Sequence, residues 1–188
     1  MRKELISREA IFVIHDFLSA GECDGHIGAA EAVGFEEATI TTRTGAEMRK
    51  DIRNNTRLIL DAPRLAAELF ERAAPLLPAT LGEWSLTGVN ERFRYYRYDP
   101  GETFRPHLDA TFRRSETERS LLTFMVYLNE GCAGGSTLFH PPDGAVIEVV
   151  PSQGMALVFA HCQLHEGAPV LSGRKYVLRT DVMYQRVA

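Results

Sequence analysis

The second half of the chain is a succession of short strand-like segments, and this pattern constrains the fold more than any other feature. From residue 89 onward, runs rich in β-branched and aromatic residues are separated mostly by Gly, Pro, Asn or Asp, with no helical periodicity between them. The segments are ERFRYYRYD, ETFRPHLD, SLLTFMVYLN, GSTLFH, AVIEVV, MALVFA and KYVLRTDVMY. About seven strands at this spacing predict an antiparallel sandwich or barrel.

Two helices are predicted in the first half, after a short apolar strand at residues 11–14. Ser19 and Glu22 have the spacing of a capping box, so they should begin an Ala-rich helix that ends at Gly34. A second helix is expected from Asp61, as its N-cap, to about Ala74. We expect both helices to cover one outer face of the β structure, which makes the fold class α+β with the chemistry in the β half.

Length and composition fit one soluble domain. With 188 residues, a single domain is expected, in which residues 1–85 provide helical support and a lid and residues 86–188 form the β-barrel core. The net charge of -4 disfavours sequence-independent binding of nucleic acid. Three widely spaced cysteines without a CxxC pair predict neither a disulfide framework nor a thiolate zinc site. No run is long and apolar enough for a signal peptide or a membrane span, so we expect a reducing, cytoplasmic setting without a membrane partner.

The first motif that indicates a chemical function is His107-Leu108-Asp109. Residues i and i+2 of a strand point to the same face, so both side chains can reach one ion. His161 and His165 follow more than fifty residues downstream, just after the strand MALVFA. Two histidines and one carboxylate are the arrangement of non-haem iron(II) oxygenases. Taken alone, the HxD motif is equally compatible with a surface pair, and the two later histidines with a helical pair, a zinc site or loop residues.

Longer motifs surround these candidate ligands and follow one another in order. The chain has RYDPGETFRPHLD at residues 97–109, YLN at 127–129, GGSTLF at 134–139 and HEGAPVLSGRKY at 165–176. These segments resemble the patterns RY-x-PG-x-x-F-x-x-H-x-D, YLN…GG-x-T-x-F and H-x-x-x-PV-x-x-G-x-K-(W/Y) of prolyl-4-hydroxylase-like dioxygenases, which depend on iron(II) and 2-oxoglutarate. The resemblance extends over nearly the whole chain.

The resemblance implies a fold, a metal site and a reaction. The fold would be a double-stranded β-helix, a jelly-roll or cupin-like barrel with the N-terminal helices packed on one sheet. His107, Asp109 and His165 would be the iron ligands. The cofactors would be Fe(II), 2-oxoglutarate and O2, with ascorbate as a reductant that keeps the iron as Fe(II). The enzyme would hydroxylate an unactivated C–H of a peptidyl (for example prolyl) or small-molecule substrate, with release of succinate and CO2. A carboxylate at Asp109 favours hydroxylation, because halogenating relatives have a small residue there.

Three residues are candidates for binding 2-oxoglutarate. Lys175 is ten residues after His165, where the resemblance implies the cation that binds the distal carboxylate. Arg179 shares a strand face with Lys175 and can bind a carboxylate bidentately. The alternative for Arg179 is a buried ion pair with an acid such as Asp181 or Glu166. Tyr98 corresponds to the family's tyrosine ahead of HxD, whose hydroxyl can donate to the cosubstrate.

The substrate side of the site is predicted from charge and strand parity. Arg94 and Tyr96 share the face of Tyr98 and should border the same cavity. His161 resembles a residue that supports the ligands or forms the pocket wall, and the sequence leaves open an exchange of roles with His165. The segment 43–57 contains five basic and two acidic residues, including Arg49 and Arg53. We interpret it as a basic loop that closes over an anionic or carbonyl-rich substrate, with the solvated surface segment as the alternative.

Arg113 and Arg114, just after the HxD strand, are expected to extend the same positive rim. The predicted partner is a peptide, a protein or a small molecule, and the chain is expected to be a monomer or a homodimer. An oxidative demethylase of the same superfamily and a cupin-like binding protein without turnover remain as alternatives. A nucleic acid is disfavoured as the substrate, because KYVLRTDVMY lacks the arginine-rich pattern of alkylation-repair dioxygenases.

Overall fold

The computed structural model describes residues 1–7, 11–42, 45–142 and 144–186, and within them the chain is mostly β-strand. The helices are α1 (Ala20–Val33) and α2 (Pro63–Ala73), the latter continued by a 3-10 turn (Ala74–Leu76). The strands, in chain order, are β1 (Arg2–Ser7), β2 (Ile11–His15), β3 (Glu36–Glu37), β4 (Ile40–Thr42), β5 (Gly45–Glu47), β6 (Thr56–Asp61), β7 (Thr80–Leu81), β8 (Trp84–Val89), β9 (Arg92–Tyr98), β10 (Phe104–His107), β11 (Glu118–Tyr127), β12 (Ala133–Gly134), β13 (Thr137–Phe139), β14 (Ile147–Val149), β15 (Ala156–Ala160), β16 (His165–Gly167), β17 (Val170–Ser172) and β18 (Lys175–Arg186). All seven strand-like segments of the second half therefore form strands, as predicted.

Two antiparallel sheets account for most of the strands. The larger sheet has ten strands, with the order β1-β2-β15-β11-β18-β9-β6-β3; β8 pairs with the second half of β18 and carries β7 beside it. The smaller sheet has four strands in the order β10-β16-β13-β14. Two short ladders, β12-β17 and β4-β5, complete the pairing. The long strand β18 therefore lies at the centre of the larger sheet.

Alternation along the central strands divides the core between the two faces of the larger sheet. On β11, Phe124 and Val126 belong to a hydrophobic cluster that also contains residues of both helices. Met125 and Tyr127 belong to a second cluster, together with Phe139 of the smaller sheet. Successive side chains of a strand point to opposite faces, so the first face packs against the helices and the second packs against the smaller sheet.

The first helix agrees with the prediction. The Ser19 hydroxyl accepts from the backbone N–H of Glu22, and the Glu22 carboxylate accepts from the backbone N–H of Ser19, which completes the capping box. The helix ends before Gly34, which has a positive φ of 97°. In the described ranges, no helix is long and apolar enough to cross a membrane. The three cysteines are free, as expected.

The predicted beginning of the second helix is wrong. Asp61 is the last residue of β6 and pairs its carboxylate with the Arg92 guanidinium on β9. The helix starts at Pro63, and its N-cap Ala62 provides no side-chain hydrogen bond. Burial of one face, with Leu69 at its centre, stabilises the helix instead of a cap.

The division into a helical part at residues 1–85 and a β part at residues 86–188 also needs correction. Strands β1, β2, β3 and β6 all belong to the ten-stranded sheet, so the first half contributes β structure to the core. The segment 43–57 is not a continuous loop, because β5 lies in it and β6 begins at Thr56. Residues 43 and 44 lie outside the described residues. The sequence predicted β2 but missed β1, β3 and β6, because these three strands are exposed or only partly buried, which weakens their alternation.

Replacement of Gly154 by alanine should strongly destabilise this fold. Gly154 has a φ of +77°, and an added Cβ would lie 2.0 Å from the carbonyl oxygen of Leu18, so we expect a loss of at least about 2 kcal/mol in the free energy of unfolding. The matched control is Gly28→Ala in α1, where nothing lies within 4 Å of the new Cβ and a gain of about 0.5–1 kcal/mol is expected. Urea unfolding measures both, and equal stability of the two variants would contradict this reading of Gly154.

Candidate metal centre

His107, Asp109 and His165 converge at one point of the structure. His107 is the last residue of β10 and lies opposite His165, the first residue of β16, in the antiparallel pairing of these strands. Asp109 follows two residues after His107, and its backbone N–H donates to the carbonyl oxygen of His161 at 3.2 Å. One ligand atom from each of the three side chains lies within 4.8 Å of the other two, and within the described ranges this is the one such cluster.

The side chains converge by a different route from the predicted one. The prediction placed His107 and Asp109 on one face of a single strand, whereas β10 ends at His107 and Asp109 lies beyond it. The backbone hydrogen bond to His161 positions Asp109, and contacts from the larger sheet orient its carboxylate. Tertiary contacts therefore bring the carboxylate to the histidines, and the strand pleat does not.

Both imidazoles direct Nε2 toward the cluster, because backbone carbonyls engage the other ring nitrogen. Nδ1 of His107 lies 2.8 Å from the carbonyl oxygen of Arg105, and Nδ1 of His165 lies 2.9 Å from that of Gln163. A carbonyl only accepts, so each Nδ1 carries the hydrogen and each Nε2 keeps a free lone pair. Burial lowers the pKa of both imidazoles, that of His107 to about 4. Both are therefore neutral at neutral pH, as metal binding requires.

The carboxylate of Asp109 is buried and held by two donors. The Thr123 hydroxyl donates to Oδ2 at 2.5 Å, and Nη2 of Arg179 lies 2.9 Å from Oδ1. The side chain is only 6% exposed. Burial alone would raise the pKa of Asp109, but the Arg179 guanidinium and the other donors outweigh it and hold the pKa well below its usual range. The group is thus an anion that faces the two Nε2 atoms at 3.7 and 3.9 Å.

Aromatic rings pack against both imidazoles. Phe104 stacks on His107 with ring centroids 3.5 Å apart, and Phe159 contacts His165 edge-on at 4.5 Å. Phe139 lies beyond them, 5.0 Å from Phe159. These rings fix the imidazole planes and exclude water from one side of the cluster.

The donor set fits iron(II). Two neutral imidazoles and one carboxylate on one side, with open space on the other, are the ligand arrangement of non-haem iron(II) oxygenases. A structural zinc site would need a fourth protein ligand, and none joins the cluster among the described residues. The residues present are therefore suited to a metal that keeps several coordination positions open.

An inner cavity leads from the cluster to Lys175 between the two sheets. The side chain of Lys175 is almost fully buried, at 3% exposed. Its ammonium donates to the carbonyl oxygen of Gly135 and lies 5.2 and 5.5 Å from the ring centroids of Tyr98 and Tyr127. Burial lowers the pKa of Lys175 to about 8. Within the described ranges it has no carboxylate partner, so the cavity contains a buried cation whose charge is not neutralised.

Arg179, unlike Lys175, is paired with acids. Besides the contact with Asp109, its Nη2 lies 3.2 Å from Oδ1 of Asp181. The same nitrogen lies 3.4 Å from the Thr123 hydroxyl, and Nη1 lies 3.4 Å from the hydroxyl of Tyr96. The alternative foreseen for Arg179, a buried ion pair, is the arrangement found, with Asp109 and Asp181 as its acids and Glu166 not among them.

Two tyrosines of β9 border the inner cavity, as strand parity predicts. Burial raises the pKa of Tyr98 to about 12, so its hydroxyl keeps the proton. Among the described residues this hydroxyl has no hydrogen-bond partner, and it is free to donate to a bound molecule. The hydroxyl of Tyr96 accepts from Arg179.

The other predicted pocket residues divide into two groups. Arg94 and Arg53 lie beside the cluster and line a second cavity. Arg49 is exposed and paired with Asp51, and Arg113 is exposed as well; neither borders either cavity. The prediction of these two at the pocket is therefore wrong. Charge alone could not distinguish arginines that point inward from those that solvent surrounds.

His161 has the first of its two expected roles: it supports a candidate ligand through Thr123 and does not line these two cavities. Its Nδ1 lies 3.1 Å from the Thr123 hydroxyl and its Nε2 lies 2.9 Å from the Ser120 hydroxyl. Because Thr123 gives its proton to Asp109, Nδ1 of His161 must donate to Thr123 and Nε2 must accept from Ser120. His161 thus positions the hydroxyl that orients the carboxylate.

Sequence reasoning did not single out Thr123 or Thr137, and it included Arg57 only as one of the basic residues of segment 43–57. Thr123 is a polar residue in the apolar run of β11, which is a signal that it faces something polar. The Thr137 hydroxyl bonds to that of Tyr127 at 2.7 Å, and Thr137 lines the inner cavity. Arg57 lines the second cavity and gives no comparable signal, because its position depends on the pairing of β6 with β9.

The comparisons with known proteins agree with this geometry. Residues 93–180 match the family model described as the 2OG-Fe(II) oxygenase superfamily. Over 194 residues the chain is 27% identical to prolyl 4-hydroxylase 1 of Arabidopsis thaliana, with 88% of this chain and 66% of that protein covered. A probable prolyl 4-hydroxylase 8 of the same plant is 24% identical, with 92% and 68% covered. The chain spans about two thirds of the length of these relatives.

Solved structures show the same fold. A prolyl 4-hydroxylase of Pseudomonas putida superposes with a TM-score of 0.69 at 21% identity, covering 95% of this chain and 93% of that one. A prolyl hydroxylase of Trichoplax adhaerens, in complex with a peptide of hypoxia inducible factor, has a TM-score of 0.71 at 18% identity and covers 93% and 84%. The predicted resemblance to prolyl-4-hydroxylase-like, 2-oxoglutarate- and iron(II)-dependent dioxygenases is confirmed.

Replacement of Thr123 by valine should weaken metal binding. The variant keeps the shape of the side chain but removes the hydrogen bond to Asp109, and loss of such an outer contact typically costs about 10–100-fold in metal affinity. Anaerobic competition with an iron(II) chelator measures the change. Thr56→Val, on β6 and away from the cluster, is the control and should bind iron(II) like the unaltered protein. Equal affinity of all three proteins would show that Thr123 does not support the ligand.

Proposed function

We propose that this chain, as a member of the group it resembles, hydroxylates an unactivated C–H of its substrate with iron(II), 2-oxoglutarate and O2. The single observation that carries the proposal is the cluster of His107, Asp109 and His165 beside a buried, unpaired Lys175. A three-residue donor set with open positions and a cation for a dicarboxylic acid are the two parts this chemistry requires.

His107, Asp109 and His165 would hold the metal through two Nε2 atoms and one carboxylate oxygen. The Nδ1 hydrogen bonds of both histidines keep those Nε2 atoms available. Arg179 and Thr123 fix the carboxylate and keep it ionised. When bound, iron(II) with 2-oxoglutarate and O2 supplies the oxidant, and one C–H becomes C–OH while the keto acid becomes succinate and CO2.

Lys175 would bind the distal carboxylate of 2-oxoglutarate, in preference to Arg179. Lys175 has no acid partner within the described ranges, while Asp109 and Asp181 already neutralise Arg179. A buried ammonium gains most from an incoming carboxylate when nothing else compensates its charge. The free hydroxyl of Tyr98 would donate a second hydrogen bond inside the same cavity.

We assign the β structure to a double-stranded β-helix with the N-terminal helices packed on the larger sheet, in one domain. The two antiparallel sheets and the shared cluster of helix and sheet residues support this assignment. The predictions of a cytoplasmic protein and of a monomer or homodimer stay predictions.

Peptidyl proline is the first substrate to test, because the named relatives are prolyl hydroxylases. The same machinery serves any substrate that places a C–H beside the metal, so a protein side chain and a small metabolite remain within the proposal.

Anaerobic addition of iron(II) and 2-oxoglutarate should produce a visible metal-to-ligand charge-transfer band. The band should be absent in His165→Ala, because two donors no longer hold the metal tightly, and absorption spectroscopy measures this. His140→Ala, outside the cluster, is the matched control and should keep the band. Failure of the unaltered protein to give the band would end the oxygenase proposal.

Substrate-dependent succinate then tests the prolyl assignment. Prolyl peptides should raise succinate formation above the uncoupled background if proline is the substrate. A background rate with prolyl peptides, in a protein that gives the charge-transfer band, would remove proline and leave the oxygenase chemistry in place.

The affinity for 2-oxoglutarate should fall as the pH rises above about 8. The pKa of Lys175 is lowered to about 8 by burial, so the free protein loses this charge as the pH passes through that value, and the carboxylate loses its partner. Between pH 7 and 9 the dissociation constant should rise about tenfold. Titration of the charge-transfer band measures it, and Lys175→Arg, which stays charged, should show a flat profile. The same pH dependence in the arginine variant would exclude Lys175 as its source.

A further inference from the structure

A second cavity of about 300 Å³ borders the metal cluster, and Lys175 is not part of its lining. It shares His107 and Asp109 with the inner cavity, so a molecule in it would lie next to the proposed metal. Four arginines line it, and we call it the arginine chamber: Arg53, Arg57, Arg94 and Arg179. A cavity of this volume is within the range of small-ligand sites.

The chamber contains more positive than negative charge. Asp109, in its lining, pairs with Arg179. Asp181, which is not part of the lining, pairs with both Arg94 and Arg179, at 3.4 and 3.2 Å. Arg53 and Arg57 have no carboxylate partner among the described residues. Two guanidinium groups, Arg53 buried and Arg57 partly buried, are therefore left without a carboxylate partner within the described ranges.

Arg53 is the most unusual of the four. It is 4% exposed, and its guanidinium lies between the rings of Tyr96 and Phe104, 4.5 and 4.4 Å from their centroids. Its Nε donates to the amide oxygen of Asn55 at 2.7 Å, but its Nη2 is buried and has no hydrogen-bond partner. A buried donor without a partner is costly and indicates a place where a ligand accepts.

Arg57 faces the same space from β6. Its guanidinium donates to the carbonyl oxygen and to the hydroxyl of Thr39, at 3.1 and 2.6 Å. Burial, followed by the charges of Arg53 and Arg94, lowers the pKa of Arg57. The arginines thus repel one another across the chamber, and an anion between them would relieve that repulsion.

The chamber is built on anchored backbone. The Arg105 N–H donates to the carbonyl oxygen of Ile52 at 2.9 Å, and the Thr103 N–H donates to the side-chain oxygen of Asn54 at 2.8 Å. These bonds tie residues 52–54 to the strand that carries His107, so Arg53 is held in place before any ligand arrives. A preorganised site loses less entropy on binding.

A structural role for Arg53 accounts for fewer of these observations. As a spacer between Tyr96 and Phe104 it would hold Phe104 against His107 by cation–π contact. That role leaves its Nη2 without a partner and gives no reason for Arg57 to face the same chamber without an acid.

We propose that the arginine chamber binds a carboxylate of the substrate, so that the enzyme selects an acidic substrate and hydroxylates a carbon a few bonds from that carboxylate. This inference rests on the proposed function, since it places the substrate beside the proposed iron. The carboxylate belongs either to a free amino or organic acid or to an Asp or Glu side chain of a peptide.

Matched probes test the inference in the anaerobic iron(II) protein saturated with 2-oxoglutarate, so that Lys175 is already occupied. The free-acid arm compares butanoate with butanamide and L-alanine with L-alaninamide, pairs in which the amide has no carboxylate. The peptide arm compares Asp with Asn and Glu with Gln, each with acetyl and N-methylamide caps. Equilibrium dialysis gives the affinities, and a carboxylate should bind about 10–100-fold more tightly than its amide, as expected for charge-assisted hydrogen bonds. The arm that shows the preference identifies the source of the carboxylate.

Variants test whether the arginine chamber causes the preference for carboxylates over amides. Arg53→Gln and Arg57→Gln should each reduce the affinity for the carboxylate probe about tenfold or more and leave that for the amide unchanged. Arg49→Gln, an exposed arginine outside both cavities, should keep the full preference. If Arg53→Gln does not fold, the inference is still tested by the probe comparison in the unaltered protein and by the Arg57→Gln variant.

Two results would overturn the inference: equal binding of acids and amides in both arms, or a preference that persists in both glutamine variants. Neither would affect the proposed function, which fails on a different observation, the absence of the charge-transfer band before any probe is added. A spacer role for Arg53 predicts that Arg53→Gln weakens acids and amides equally, which also contradicts the proposal.

Discussion

The ion pair between Asp109 and Arg179 is the interaction on which the rest of the site depends. Asp109 lies beyond the end of β10, where no strand partner fixes it, and its burial opposes the charge that a metal ligand needs. Arg179 extends from the central strand β18, orients the carboxylate at 2.9 Å and keeps it ionised. The pair also connects the two sheets, since Arg179 belongs to the larger one and Asp109 follows β10 of the smaller one. Removal of one partner of such a buried pair typically costs about 3–5 kcal/mol.

The strand β18 distributes the charges of the site along its length. Lys175, Val177, Arg179 and Asp181 alternate onto one face, at about 6.6 Å per pair of residues. The first cation has no acid beside it within the described ranges and is available to a ligand, while the second shares its charge between Asp109 and Asp181. The apolar Val177 separates them. One strand thus provides both a cation without an acid partner in the inner cavity and a neutralised cation that orients Asp109.

The residues of the candidate metal cluster were accessible from the sequence as motifs, although tertiary contacts, and not the predicted strand pleat, bring Asp109 to the histidines. The HxD motif, the downstream His165, the shared face of Lys175 and Arg179, and the inward face of Tyr96 and Tyr98 all follow from positions along single segments. The contacts between different segments could not be predicted in this way. The state of Arg179 depends on which acids fold against it, and the register of β6 against β9, which places Arg57 opposite Tyr96, is a long-range contact.

The same distinction between single segments and their contacts explains why the role of the basic segment at residues 43–57 was predicted only in part. The basic residues of the segment predicted a positive rim. Composition does not show which of these side chains reach the site, because that depends on how the backbone of the segment is bonded to the rest of the fold. Residues 52–54 are bonded to the strand of His107, and Arg53 points inward, while Arg49, four residues earlier, is exposed and paired with Asp51. Any closing movement of the segment must therefore take place before Ile52. The arginines that border the metal cluster belong to the fixed part, so their selectivity for a ligand is present in the free protein and does not require closure.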